Sequence, residues 1–196
     1  MPTIRRLQPK GEMLEIERKL FDEFKRANPL LIEHHQPLDD WDYLTLGQHF
    51  GLPTRLLDWS NNALTAMWFA TKGTSLESDH VIVWIIIADE KDFVSPADED
   101  SVFTSSSTKF FNPRLIKQRI NSQSGVFTIF SSDDLLKGNP LNENLYYKDK
   151  MIKVKIPHRH IRNIQTELNT LGINAFSIFP ELEGLCSHLQ WRYFER

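Results

Sequence analysis

The stretch LGQHFGLPTRLLDWSNNALTAMWFA, residues 46–70, sets Gln48, His49, Arg55, Asp58, Trp59, Ser60, Asn61 and Asn62 in a turn between two apolar helical runs. Polar side chains at that density, with Gly51 and Pro53 among them, line a site or lock a buried corner. Upstream, residues 41–50 read as a helix that Asp39 or Asp40 can cap, and Gly51 followed by Pro53 stops it. Downstream, Ser60 or Asn61 is placed to cap a helix over residues 62–72. Its Ala63, Leu64, Ala66, Met67, Trp68, Phe69 and Ala70 are apolar on nearly every side, the pattern of a buried helix.

Outside this stretch the pattern is mixed. Met13, Leu14, Leu20, Phe21 and Phe24 predict a helix over 12–26, which Asn28-Pro29 ends. The run VIVWIIIA, residues 81–88, reads as a strand covered on both faces. The serine-rich segment 91–108 reads as a mobile connection, and Asn112-Pro113 opens a short helix over 114–122. Gly125 begins a strand over 126–130, and residues 131–144 read as loop. Alternation predicts a strand over 151–156; Ile161, Ile164, Leu168 and Leu171 mark a helix that Gly172 ends. Residues 173–179 read as a last extended segment before a closing helix that Pro180 starts. The expected fold is a single α+β domain over 1–196, its N-terminal helices packed on a mixed sheet formed mainly after residue 80.

Composition narrows the function classes. The 196 residues are 40% hydrophobic and 25% charged, which suits a folded domain with a sizeable core. A net charge of −3 without a Lys/Arg run argues against a nucleic-acid partner. The single Cys186 excludes an intrachain disulfide and a thiolate zinc cluster. His34 and His35 are adjacent rather than four apart, so no metal site is expected. No apolar run follows the basic N-terminus, and residues 81–88 are far too short to span a membrane; the cytoplasm is the expected compartment.

Arg55 and Asp58 carry two open readings. They form a buried ion pair that holds the turn, or Arg55 offers its fork to a phosphate or carboxylate while Trp59 gives a stacking face. Gln48 and His49 fall in the last turn of a helix, where His meets free carbonyls. His158 and His160 read as a solvated helix start. Glu181 and Glu183 suit the start of the closing helix, although two carboxylates beside Gly184 could also serve as ligand or acid/base groups. Arg119, Gln123 and Phe127 belong to a polar helix end that runs through Gly125 into an aromatic strand, a common route to a pocket lip. No phosphate-loop lysine, nucleophile elbow or dinucleotide glycine fingerprint is present.

The run GQHFGLPTRLLDWSNNALTAMWFA resembles the central signature of the FRG-domain family, with further similarity at 119–127, 152–157 and 172–189. The Phe-Arg-Gly from which that family is named is absent: the chain holds no Arg-Gly pair, and Met1 begins near where the motif would have ended. A first strand is therefore expected to be lacking, or the sequence to be a shortened form. A more distant likeness links this order of motifs to arginine-type ADP-ribosyltransferases. It implies an NAD- or nucleotide-binding effector, a toxin or phage-defence protein, whose macromolecular target stays open. Ser60 and Trp59 would then lie by the nicotinamide end. Gln123 or Glu183 would take the catalytic place, with Gln48, His49, Arg55, Asp58, Arg119 and Phe127 around the nucleotide. The alternative is a non-catalytic binding module in which Arg55–Asp58 is structural; a nucleic-acid-handling domain ranks last.

Overall fold

A computed structural model describes residues 1–7, 9, 11–31, 36–73, 79–95, 101–114 and 122–195. Among these residues the helices are α1 (Thr3–Arg6), α2 (Met13–Ala27), α3 (Asp40–His49), α4 (Ala63–Thr71), α5 (Ser132–Lys137), α6 (Ile161–Thr170), α7 (Ala175–Ile178) and α8 (Leu182–Gln190). The strands are β1 (Leu56–Ser60), β2 (His80–Ile86), β3 (Lys109–Phe111), β4 (Gly125–Ile129) and β5 (Met151–Pro157). The fold is α+β. Two small sheets, in the orders β1-β4-β3 and β2-β5, stand where one mixed sheet was expected. The helix expected over 114–122, Arg119, His34 and His35 fall largely or wholly outside the described residues.

The chain forms two compact units. Unit 1 comprises Met1–Asp58, Ala88–Ile116 and Val126–Asp149; unit 2 comprises Trp59–Ile87, Lys117–Gly125 and Lys150–Arg196. Unit 1 is built on an aromatic core of Phe21, Leu44, Leu56, Val102, Phe103, Phe111, Phe127 and Ile129. Helix α2 contributes Glu17 and Phe21, four residues apart and therefore on one face, and both are buried. Val102 and Phe103 lie inside this core, so the segment expected to be a mobile connection supplies packing instead. Phe103 meets Phe21 edge-on with ring centres 5.2 Å apart, and Phe111 stacks on Phe127, its opposite number across β3 and β4. Residues 131–144, expected as loop, hold α5, which Ser131 caps.

Helix α3 begins as its sequence implies. The Asp39 carboxylate accepts from Asp42 N–H and the Asp42 carboxylate from Asp39 N–H, a reciprocal capping box. Its C-terminus is closed by two backbone bonds, Gly51 N–H to Gln48 O at 3.1 Å and Leu52 N–H to Gly47 O at 2.8 Å. That pattern needs a left-handed residue, which Gly51 supplies at φ +86°. After Thr54 and Arg55 the chain enters strand β1. Thr54, Arg55 and Leu56 are all buried, and β1 runs directly out of them.

Unit 2 departs from expectation in three places. Strand β2 has one partner, β5, and Ile82, Ile85 and the facing Ile152 remain exposed, so it is not covered on both faces. Helix α4, capped by Asn62, packs against β2 and α6 yet leaves Leu64 and Phe69 exposed. Residues 173–179 hold a helical turn: Asn174 accepts from Phe176 N–H and Ser177 N–H, and this capping box overrides the β-leaning Ile173 and Phe179. Helix α8 then approaches α7 so closely that a Cβ on Gly184 would sit 1.9 Å from the Phe179 carbonyl oxygen. Gly184→Ala must push that helix away, and a loss of about 1–3 kcal/mol in urea unfolding is expected.

Candidate functional site

The signature residues form a bonded corner in unit 1. Thr54 Oγ1 accepts from Leu56 N–H at 3.0 Å and donates to Gln48 Oε1 at 2.7 Å; Gln48 Nε2 donates to Asp58 Oδ2 at 2.7 Å. The chain of bonds runs from a backbone amide through a buried hydroxyl to an exposed carboxylate. Arg55, 1% exposed, does not pair with Asp58. Its Nε and Nη2 donate to the two carboxylate oxygens of Glu17, at 2.9 and 2.5 Å, and its Nη1 reaches Phe130 O at 3.3 Å. The guanidinium lies over the Phe103 ring, 5.1 Å from its centre. The structural ion pair is thus Arg55–Glu17, and the partner stands 38 residues upstream. Asp58 instead lies at the surface, where its carboxylate accepts from Gln48 Nε2.

The other expected site residues are distributed. His49 ends α3, with its ring edge-on to Phe50 at 4.9 Å. Phe127 is in the unit 1 core, not at a pocket lip. Trp59 is half-buried on β1. Within unit 2, Ser60 Oγ donates to the Gln123 carbonyl at 2.7 Å and accepts from Asn62 N–H at 3.1 Å. The Gln123 side-chain Nε2 is buried without a hydrogen-bond partner. Glu183 is exposed in the first turn of α8, and Arg119 lies outside the described residues.

A cavity that the sequence pattern did not signal opens in unit 1. It encloses about 720 Å³ and is lined on one side by Trp41, Asp42 and Thr45 of α3, and elsewhere by Phe93, Phe111, Glu90 and Arg114 among others. That volume suits a small organic ligand. Neither this cavity nor one of about 230 Å³ in unit 2 is lined by Gln48, His49, Arg55, Asp58 or Trp59. Asp42, 2% exposed, accepts from Arg114 Nη1 through the same Oδ2 that caps Asp39 N–H. Thr45 is buried, and its hydroxyl has no partner among the described residues. In sequence the only trace was Asp39-x-x-Asp42, which reads as a cap; nothing there showed that the capping carboxylate also faces a hollow. Among the described residues no His, Cys, Asp and Glu group could hold a metal ion, and no helix is long and apolar enough to cross a membrane.

Burial pushes the Asp42 carboxyl above the ordinary aspartate value, and its bond from the Asp39 amide and its Arg114 partner only partly oppose this. A carboxyl whose folded pKa is raised holds its proton more tightly in the native state. Its stability contribution is therefore best below the ordinary aspartate range and is lost as pH rises through the native value. Asp42→Asn should gain stability relative to the parent protein as pH climbs from about 4. Paired urea titrations across pH check this, and a flat or falling difference would contradict it.

Residues 1–79 match the family model described as the FRG domain. No curated protein and no solved structure matches the chain.

Proposed function

We propose that this chain, FRG-domain sequence over residues 1–79, is a small-molecule-binding module in which the signature corner is architecture and the unit 1 cavity is the ligand site. The observation that carries this reading is the cavity wall of α3: a buried carboxylate, a buried hydroxyl without a partner and an indole on one helix face. The signature residues close the C-terminal end of that same helix. A fixed end sets where Trp41, Asp42 and Thr45 stand, which is how a rigid element makes a precise site.

Two measurements test it. Titrating nucleosides, amino acids and NAD against isotope-labelled protein should move the Trp41 and Thr45 resonances for at least one compound. Ala88→Trp, which fills the cavity, should abolish that binding with the protein still folded. Undiminished binding by Ala88→Trp would overturn the reading. The corner is tested by stability: Arg55→Ala and Glu17→Ala should each cost about 3–5 kcal/mol, because either leaves a buried charge unpaired. Their combination should cost far less than the sum. An Arg55→Ala protein that melts normally but has lost its ligand would make that arginine functional instead.

A second reading, an ADP-ribosyltransferase-like effector using NAD, is favoured by one contact, Ser60 Oγ on the Gln123 carbonyl beside an unpartnered Gln123 amide. Transfer of that kind breaks the bond between nicotinamide and ribose, so it predicts nicotinamide release from NAD. Release that survives unchanged in Ser60→Ala/Gln123→Ala, or that never exceeds buffer, would remove it.

A further inference from the structure

The unit 1 cavity has a charge and a shape that together choose among ligands. Among the described residues, four carboxylates stand on its wall, Asp39, Asp42, Asp89 and Glu90, against Arg114 on the wall and Lys91, whose ammonium lies 3.7 Å from the Asp89 carboxylate. Aromatic rings line it as well: Trp41, Phe93 and Phe111, with Trp41 and Phe111 edge-to-face at 5.0 Å. The face of such a ring is negative and draws a cation, most strongly where water is excluded. Arg114 itself shows what the buried carboxylate accepts. Its guanidinium, on a side chain 48% exposed, reaches from the rim to an Asp42 side chain only 2% exposed. Three residues further along α3, the Thr45 hydroxyl is buried on the same wall with no partner among the described residues. A buried donor without an acceptor is costly unless a ligand supplies one. A phosphate or carboxylate entering here would meet the acidic wall with one arginine to offset it.

We propose that this cavity binds a small organic cation with a planar body, held by the Asp42 and Glu90 carboxylates against Trp41 and Phe111, with a ligand acceptor taking the Thr45 hydroxyl. This rests on the reading of the cavity as the ligand site and names the class of ligand. The cation displaces Arg114 from Asp42 or sits beside it, and its ring fills the apolar part of the hollow. Specificity comes from charge at one end and one hydroxyl at the other.

Three probes with one ring separate the charge term from the shape term: 1-methylnicotinamide (a cation), nicotinamide (neutral) and nicotinate (an anion), titrated calorimetrically into the full chain. The cation is expected to bind about tenfold or more tighter than the neutral ring, and the anion to give no heat. Asp42→Asn and Glu90→Gln should each weaken the cation more than the neutral ring and so shrink that advantage; Glu90 is exposed, so its variant folds even if the Asp42 substitution does not. Thr45→Val should weaken both amide probes alike. Equal binding of all three, preference for nicotinate, or no binding of 1-methylnicotinamide overturns the cation assignment. If a neutral or anionic compound from the wider panel then binds and is blocked by Ala88→Trp, only the ligand class has failed. If Ala88→Trp blocks nothing, the cavity reading has failed with it.

Discussion

Glu17 and Arg55 share two hydrogen bonds inside unit 1, with both side chains almost completely shielded from water. Taking two charges out of water costs several kcal/mol each, and only near-ideal geometry recovers it. Here the recovery is well made: a planar fork meets both oxygens of a carboxylate, a third nitrogen reaches the Phe130 carbonyl, and the Phe103 ring covers the guanidinium face. Lysine could not replace it, having neither the fork nor the flat face. Such a pair gives little net stability over an apolar substitute, but it forbids other registers. Helix α2 can dock against the signature strand in only one way without stranding a charge.

That constraint propagates to α3. The segment that carries Arg55 into β1 also carries Thr54, whose hydroxyl holds Gln48, and Gln48 holds Asp58. The last turn of α3 is thereby tied to the segment after it. At the other end the Asp39 and Asp42 carboxylates cap the helix reciprocally. Both ends of a ten-residue helix are therefore fixed by side chains. Asp42 serves twice, as cap and as cavity wall, through one oxygen. A helix with free ends frays, and a cavity wall built on it would move with the fraying. The signature matters to the cavity in this indirect sense, although it contributes no lining residue to it.

Much of the helical framework was legible because helix ends leave local signals. Asn28-Pro29 after α2, Gly51 after α3 and Gly172 after α6 all mark real stops. The family resemblance was legible for a similar reason, a continuous run. What was not legible depends on distance along the chain. Glu17 reads as one acid among several on an amphipathic helix, and no local pattern joins it to Arg55. Asp58, three residues from Arg55, was the obvious partner by spacing; it lies at the surface bonded to Gln48, while Arg55 is buried against Glu17. Helix α4 and strand β2 were expected to be buried because they are apolar, yet burial depends on how many elements arrive to cover them. Residues 173–179 went the other way: the Asn174 and Ser177 side chains supplied the bonds that made a helical turn from a strand-like composition.

The two functional readings differ in electrostatics, and this decides which cavity each can use. A dinucleotide carries its negative charge on a pyrophosphate, which proteins hold with arginine, lysine or free backbone amides. In unit 1 the obvious arginine of the signature is buried and already donates to Glu17 and Phe130. The cavity walled by α3 sets four carboxylates against Arg114. A pyrophosphate there would be placed against an excess of like charge. Ser60 and Gln123, by contrast, belong to unit 2. The NAD reading therefore rests on residues that do not line this cavity. The two readings thus rest on different residues, Asp42 and Thr45 for the one and Ser60 and Gln123 for the other, so each is tested by its own substitutions.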